Sequence, residues 1–165
     1  MRSLMLLRPS NKCFWAAALS LSILSFAGVN GLADDVAIVV SADVPVENLS
    51  LEDVRKIFLG DRQYWTSNLR ITLLVRAPVA RERDVVLKKI YEMTEAQYRQ
   101  YWISKVFRAD VPSGPKIFYS AGMATELVGV IPGAIAFVDA AQVPPNAKVL
   151  RINGALPGEA RYPLK

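Results

Sequence analysis

Apolar runs and residues at helical spacing alternate along the chain from residue 34 onward. The segment Val36–Val40 is entirely apolar and mostly β-branched, which is typical of a strand buried on both faces. Similar runs predict four further strands, at residues 70–75, 116–119, 134–138 and 148–152. Because these strands alternate with helical segments, the pattern predicts an α/β fold with a largely parallel sheet flanked by helices.

The helical segments carry recognisable capping signals. Ser50 with Asp53, and Thr94 with Gln97, each match a capping box at the start of a helix. Gly60 is suited to the position that follows the first of these helices. The predicted helices extend from Ser50 to Gly60 and over 84–91, 95–106 and 121–130, while 77–83 and 110–115 are predicted loops.

Residues 1–33 have the layout of a secretory signal peptide. They contain basic but no acidic residues, an apolar run from 14 to 29, and small residues before a cleavage site after Ala33. A retained membrane anchor is the alternative, but the run is shorter than the roughly 20 residues of a spanning helix. We therefore expect residues 34–165 to fold as one domain in the periplasm or outside the cell.

Composition excludes several kinds of chemistry. The 165-residue sequence has no histidine and one cysteine, so histidine-based catalysis and metal sites built on imidazole or thiolates are not expected. We expect no cofactor and no enzyme activity, since phosphate-binding loops and nucleophile elbows are also missing from the sequence. Residues 1–33 contribute three of the five net positive charges of the sequence. The remainder is nearly balanced, so a nucleic-acid partner is not expected.

Three segments of the chain match motifs of one known protein family. Residues 49–60 (LSLEDVRKIFLG), followed by Trp65, are similar to the pattern LS-x-E-x-x-x-IF-x-G before a tryptophan. Tyr101-Trp102 with Phe107 is similar to a helix end of the family's short members, and 128–138 (VGVIPGAIAFV) to V-x-x-x-PGAIGYV. With these motifs the chain resembles the phosphate-type substrate-binding proteins of ABC transporters, and the resemblance implies a lobe of the type II periplasmic-binding-protein fold over residues 34–165.

The sequence departs from that family where the ligand is held. Full-length members have two lobes around the anion and an Arg…Ser-Gly-Thr motif that contacts phosphate oxygens. This chain has RAPVARERD at 76–84, without Ser-Gly-Thr, and Ala136 and Phe137 replace the glycine and tyrosine of the third motif. The chain therefore resembles the short, single-domain branch of the family.

Four residues are candidates for binding an oxyanion, which needs backbone N–H donors at a helix N-terminus and a cation. Ser41 follows the first strand, Arg76 ends the second, and Ser120 and Gly122 open the helix after the third. Because the carboxyl ends of parallel strands share one edge of a sheet, we expect these residues to lie together. Arg76 is the preferred cation, since no acidic residue adjoins it in sequence.

Other interpretations of these side chains remain open. Ser120 is equally explained as a helix cap. Arg81 and Arg83 neighbour acidic residues and are expected in a solvated loop of mixed charge. The aromatic residues of the third helix are expected in the core rather than in a stacking platform; they are Tyr98, Tyr101 and Trp102.

Two functions are consistent with these observations. The resemblance implies an exported solute-binding protein that binds a small oxyanion such as phosphate without catalysis and works with a membrane permease. The alternative is a periplasmic interaction or sensory module that keeps the fold but has lost the ligand, with another envelope protein as partner. The sequence leaves the ligand and the oligomeric state open.

Overall fold

The computed structural model describes residues 34–165, so the predicted signal peptide and its cleavage site lie outside the described residues. A π-helical turn, Leu87–Tyr91, and a 3-10 turn, Ala140–Gln142, accompany the regular elements. In this part of the chain no helix has both the length and the hydrophobicity to cross a bilayer. The regular elements, in chain order, are β1 Val36–Val40, β2 Asn48–Leu49, α1 Leu51–Phe58, β3 Tyr64–Thr66, β4 Leu69–Arg70, β5 Thr72–Arg76, α2 Arg81–Val86, α3 Glu95–Phe107, β6 Lys116–Phe118, α4 Ala121–Val130, β7 Ala134–Asp139, β8 Lys148–Val149 and β9 Arg151–Ile152.

The central sheet has the strand order β6-β5-β7-β1-β8. β5 is parallel to both β6 and β7, whereas β1 is antiparallel to both β7 and β8. Four of the five strands therefore run in the same direction and β1 alone runs against them. The predicted α/β fold with a mostly parallel sheet is confirmed, and the single reversed strand decides where the candidate site residues lie.

Each face of the sheet is covered by helices, which explains the unbroken apolar sequence of β1. Val36, Ile38 and Val40 face the larger core with α1, α2 and α3, while Ala37 and Val39 face the smaller core under α4. All five side chains are at most 1% exposed. Burial on both faces is therefore what the β-branched run predicts, and that expectation is confirmed.

The predicted starts of α1 and α3 are confirmed. The Ser50 hydroxyl accepts a hydrogen bond from the Asp53 N–H at 3.0 Å. At α3, the Thr94 hydroxyl accepts from the Gln97 N–H at 3.3 Å, and the Gln97 side chain accepts from the Thr94 N–H at 2.9 Å. Gly60 has φ +73° just after α1, in the left-handed conformation that this position favours.

Several predicted boundaries are wrong. The helix predicted at 84–91 begins three residues earlier, because the Ala80 carbonyl accepts hydrogen bonds from the N–H groups of Arg83 and Asp84, and it continues as the π-helical turn. The strand predicted at 148–152 is divided between two sheets, since β9 pairs with β2. The β3–β4 hairpin, whose first strand contains Trp65, is missing from the predicted elements.

The first and third sequence motifs meet at Gly133. The Trp65 indole N–H donates to the Gly133 carbonyl at 2.9 Å, and the Thr72 N–H donates to the same oxygen at 3.0 Å. The Gly133 N–H donates to both carboxylate oxygens of Asp43 at 3.2 Å. A Cβ at Gly133 would lie 2.1 Å from the Arg70 carbonyl oxygen. These hydrogen bonds therefore join β3, the start of β5 and the turn after β1 to the residue that precedes β7.

Candidate functional site

Arg76 lies at the carboxyl end of β5, and its guanidinium is paired. Its Nε is 2.9 Å from Glu82 Oε1, with side-chain exposures of 20% and 12%. The guanidinium also lies over the ring of Phe118, 5.9 Å from its centroid. The expectation that Arg76 has no acidic neighbour holds only along the sequence, because α2 begins early enough to bring the Glu82 carboxylate back to the end of β5.

Ser120 and Gly122 lie at the N-terminus of α4, at the same edge of the sheet as Arg76. The Ser120 hydroxyl accepts from the Met123 N–H at 3.1 Å, so its predicted role as helix cap is confirmed. The first turn contains no acidic residue, and a Cβ at Gly122 would meet only the Ser120 hydroxyl, at 3.9 Å. The N-terminus of α4 therefore carries the positive end of the helix dipole without an acidic side chain in its first turn.

Ser41 lies at the opposite edge of the sheet, so the expectation that all four candidates meet is wrong. β1 is antiparallel to β7, and the Ser41 N–H donates to the Ala134 carbonyl at the beginning of β7. The Ser41 hydroxyl donates to the Asp43 carboxylate, and this hydrogen bond lowers the pKa of Asp43. Ser41 is 5% exposed and belongs to the turn after β1 rather than to the edge that holds Arg76.

The edge that holds Arg76 also contains a second arginine with acidic partners. Arg81 Nη2 lies 3.0 Å from an Asp139 carboxylate oxygen, and Arg81 Nη1 donates to the Asp34 carbonyl at 2.6 Å. Within residues 34–165, no group of three or more metal-ligating side chains comes together. The edge therefore offers helix N–H donors and two paired cations, an arrangement suited to holding an anion that can exchange with a carboxylate.

Arg83 is buried, and the expectation of a solvated loop is wrong for this residue. It is 4% exposed and forms two hydrogen bonds with the Glu95 carboxylate, at 2.8 and 2.9 Å. It also donates to the Arg76 carbonyl at 2.5 Å and lies 4.7 Å from the Tyr98 ring centroid. Hydrogen bonding to Arg83 lowers the pKa of Glu95. Arg83 therefore holds the carboxyl end of β5 through its hydrogen bond to the Arg76 carbonyl.

Tyr98, Tyr101 and Trp102 of α3 pack in or against the core, as expected. Tyr98 and Trp102 are 7% and 8% exposed, and Tyr98 packs edge-on against Tyr91, with ring centroids 4.8 Å apart. Burial raises the pKa of Tyr98 to about 12. No sequence motif indicates the Arg76–Glu82 pair, because this pair depends on where α2 begins.

Comparison with known proteins found structural similarity but no sequence match: no family model and no curated protein matches the chain. An ABC-type phosphate transport receptor from Vibrio cholerae has a TM-score of 0.60 and 20% identity over 77% of this chain and 50% of its own. PstS from Borrelia burgdorferi has a TM-score of 0.57 and 16% identity over 75% of this chain and 49% of its own. A structure from Clostridium perfringens with bound phosphate has a TM-score of 0.57 and 18% identity over 76% of this chain and 48% of its own. The chain shares their fold and spans about half the length of each.

Proposed function

We propose that this chain is a non-catalytic binding protein that takes a small oxyanion such as phosphate at the edge formed by Arg76, Ser120 and Gly122. We further propose that it acts in the periplasm after cleavage near Ala33, with a membrane permease as its partner. The fold it shares with phosphate transport receptors supports a solute-binding role. The observation that carries the proposal is the α4 N-terminus, without acidic residues, at the same edge as Arg76.

The Glu82 carboxylate is paired with Arg76, the cation that an oxyanion would need. Both groups are mostly shielded from water, with side-chain exposures of 20% and 12%, so an incoming anion has to exchange with this carboxylate. Removing the negative charge of Glu82 should therefore strengthen anion binding. A gain of roughly tenfold corresponds to about 1.4 kcal/mol.

Isothermal titration with phosphate tests the proposal in three variants. Glu82→Gln should raise the affinity, and the double variant Arg76→Gln/Glu82→Gln should abolish binding. The double variant is needed because removing Arg76 alone leaves the Glu82 carboxylate shielded and without its partner, which destabilises the fold. Arg151→Gln, on β9 outside this edge, is the matched control and should bind as the unaltered chain does. Equal affinity of the single and double variants would place the anion elsewhere.

The same ion pair favours a second candidate, an interaction or sensory module without a ligand. Arg76 and Glu82 satisfy each other's charge without any anion, as expected for a site that has lost its ligand. In this case neither the unaltered chain nor Glu82→Gln would bind phosphate or sulfate at millimolar concentration. Cross-linking in the cell envelope would then recover a protein other than a permease.

A further inference from the structure

A separate cavity of about 130 Å³ lies at the opposite edge of the sheet, near the amino ends of β5 and β6. Its inner wall is apolar and includes the buried side chains of Ile57, Trp102 and Val111, which are 1%, 8% and 5% exposed. The volume is comparable with that of an engineered apolar cavity of about 150 Å³ that binds benzene. The cavity can therefore hold an apolar group the size of a small ring or branched chain.

The rim of this cavity is cationic. Arg62, Arg70 and Lys116 line it, and among the described residues no aspartate or glutamate does. The two nearest acidic residues along the sequence are occupied, because Asp61 pairs with Lys105 and Asp110 with Arg108. Three positive charges around an apolar pocket create a local potential that favours an anion.

Neutral groups rather than carboxylates hold the two arginines in place. Arg62 donates to the Tyr64 carbonyl at 3.3 Å and lies 5.8 Å from the Trp65 ring centroid. Arg70 donates to the Gln63 side chain at 3.4 Å and lies 5.8 Å from the Tyr64 ring centroid. These contacts restrict the guanidinium groups without neutralising them, so their charge remains available to a ligand.

The carbonyl groups that end α1 beside the cavity are already hydrogen-bonded. The Lys56 carbonyl accepts from the N–H groups of Asp61 and Arg62, and the Leu59 carbonyl accepts from the Tyr101 hydroxyl at 2.7 Å. These two carbonyls are therefore not free acceptors that would oppose an anion in the cavity.

We propose that this cavity is a second binding site, which takes a small organic carboxylate with its apolar body against Ile57, Trp102 and Val111 and its carboxylate toward Arg62 and Arg70. The site is independent of the proposed oxyanion site, which lies at the other edge of the sheet. A bare inorganic anion would leave the apolar wall unfilled, so a carboxylate that carries a ring or branched chain fits better.

Benzoate is a suitable probe, and isothermal titration together with two-dimensional ¹H–¹⁵N NMR of the purified protein tests the site. Arg70→Gln should weaken benzoate binding by roughly tenfold, the usual scale for loss of one charge-assisted hydrogen bond. Arg62→Gln should weaken binding by a similar factor, since both guanidinium groups line the cavity. Arg151→Gln, away from the cavity, should leave binding unchanged.

The outcomes separate this site from the proposed oxyanion site. Benzoate-induced shifts at Trp102 that persist in Arg76→Gln/Glu82→Gln would support the cavity whether or not phosphate binds at the other edge. Absence of benzoate binding, equal binding by Arg70→Gln, or phosphate-induced shifts at Trp102 in Arg76→Gln/Glu82→Gln with an affinity as high as for benzoate would overturn the proposal. If Arg70→Gln does not fold, Arg62→Gln alone tests the site, and binding as tight as that of the unaltered chain would overturn the proposal.

Discussion

Replacing Gly133 with alanine should destabilise the fold more than replacing any exposed glycine with the same backbone conformation. Gly133 has φ +66°, and a Cβ there would lie 2.1 Å from the Arg70 carbonyl oxygen. Left-handed backbone costs about 1–2 kcal/mol for a residue with a Cβ. The close contact is with backbone, so β4 or the start of β7 must move, which adds about 1–3 kcal/mol if the cost resembles that of an overpacked core.

Gly154 provides the matched control for this substitution. It has φ +81°, and a Cβ there would meet no atom within 4 Å. Gly154→Ala therefore carries only the conformational cost of about 1–2 kcal/mol, and the difference between the two variants isolates the contact with Arg70.

Urea denaturation of both variants, followed by tryptophan fluorescence, measures this difference. We expect the free energy of unfolding to fall by about 2–5 kcal/mol for Gly133→Ala and by about 1–2 kcal/mol for Gly154→Ala. Equal losses in the two variants would refute the reasoning, because the contact with the Arg70 carbonyl would then carry no cost.

Three further predictions concern stability. Trp65→Phe should lower the free energy of unfolding by about 1 kcal/mol in urea denaturation, because the Gly133 carbonyl loses one of its two donors, and a cost near zero would contradict this. Ser120→Ala should cost about 1 kcal/mol through loss of the α4 cap, measured as a lower thermal midpoint; an unchanged midpoint would show that the cap is dispensable. Glu95→Gln should destabilise the chain at neutral pH. Because Arg83 lowers the pKa of Glu95, the stabilisation is present above the ordinary pKa of 4.5 and is lost as the pH falls below it. The difference in free energy of unfolding between Glu95→Gln and the unaltered chain should therefore disappear in acid. A difference that does not change with pH would contradict this role of the Arg83–Glu95 pair.

Most elements could be predicted from local sequence, because their causes are local. The β-branched run of β1, the capping residues Ser50 and Thr94, and the glycine after α1 each act within a few residues. The early start of α2 could not be predicted in this way. Ala80 has no capping side chain, and the helix start is accompanied by the burial of Arg83 against Glu95, twelve residues further along the chain.

The candidate site could be predicted only in part, because the sequence of a strand does not show its direction relative to the neighbouring strands. The residues 36–40 indicate burial on both faces but not whether the strand runs with or against its neighbours. Arg76, Ser120 and Gly122 share an edge because β5 and β6 are parallel, whereas the reversal of β1 takes Ser41 to the other edge. The cationic cavity joins residues of the strands β4, β5 and β6, two loops and the helices α1 and α3, which share no sequence motif.

The reversed direction of β1 also fixes how the domain would be oriented on a tether. Val36, the first residue of β1, pairs with Asp139 at the carboxyl end of β7, and its N–H donates to the Leu164 carbonyl. Both ends of the described chain therefore emerge at the edge that holds Arg76 and Ser120. A label, linker or support attached at residue 34 or 165 would crowd the proposed oxyanion site and leave the carboxylate cavity facing outward.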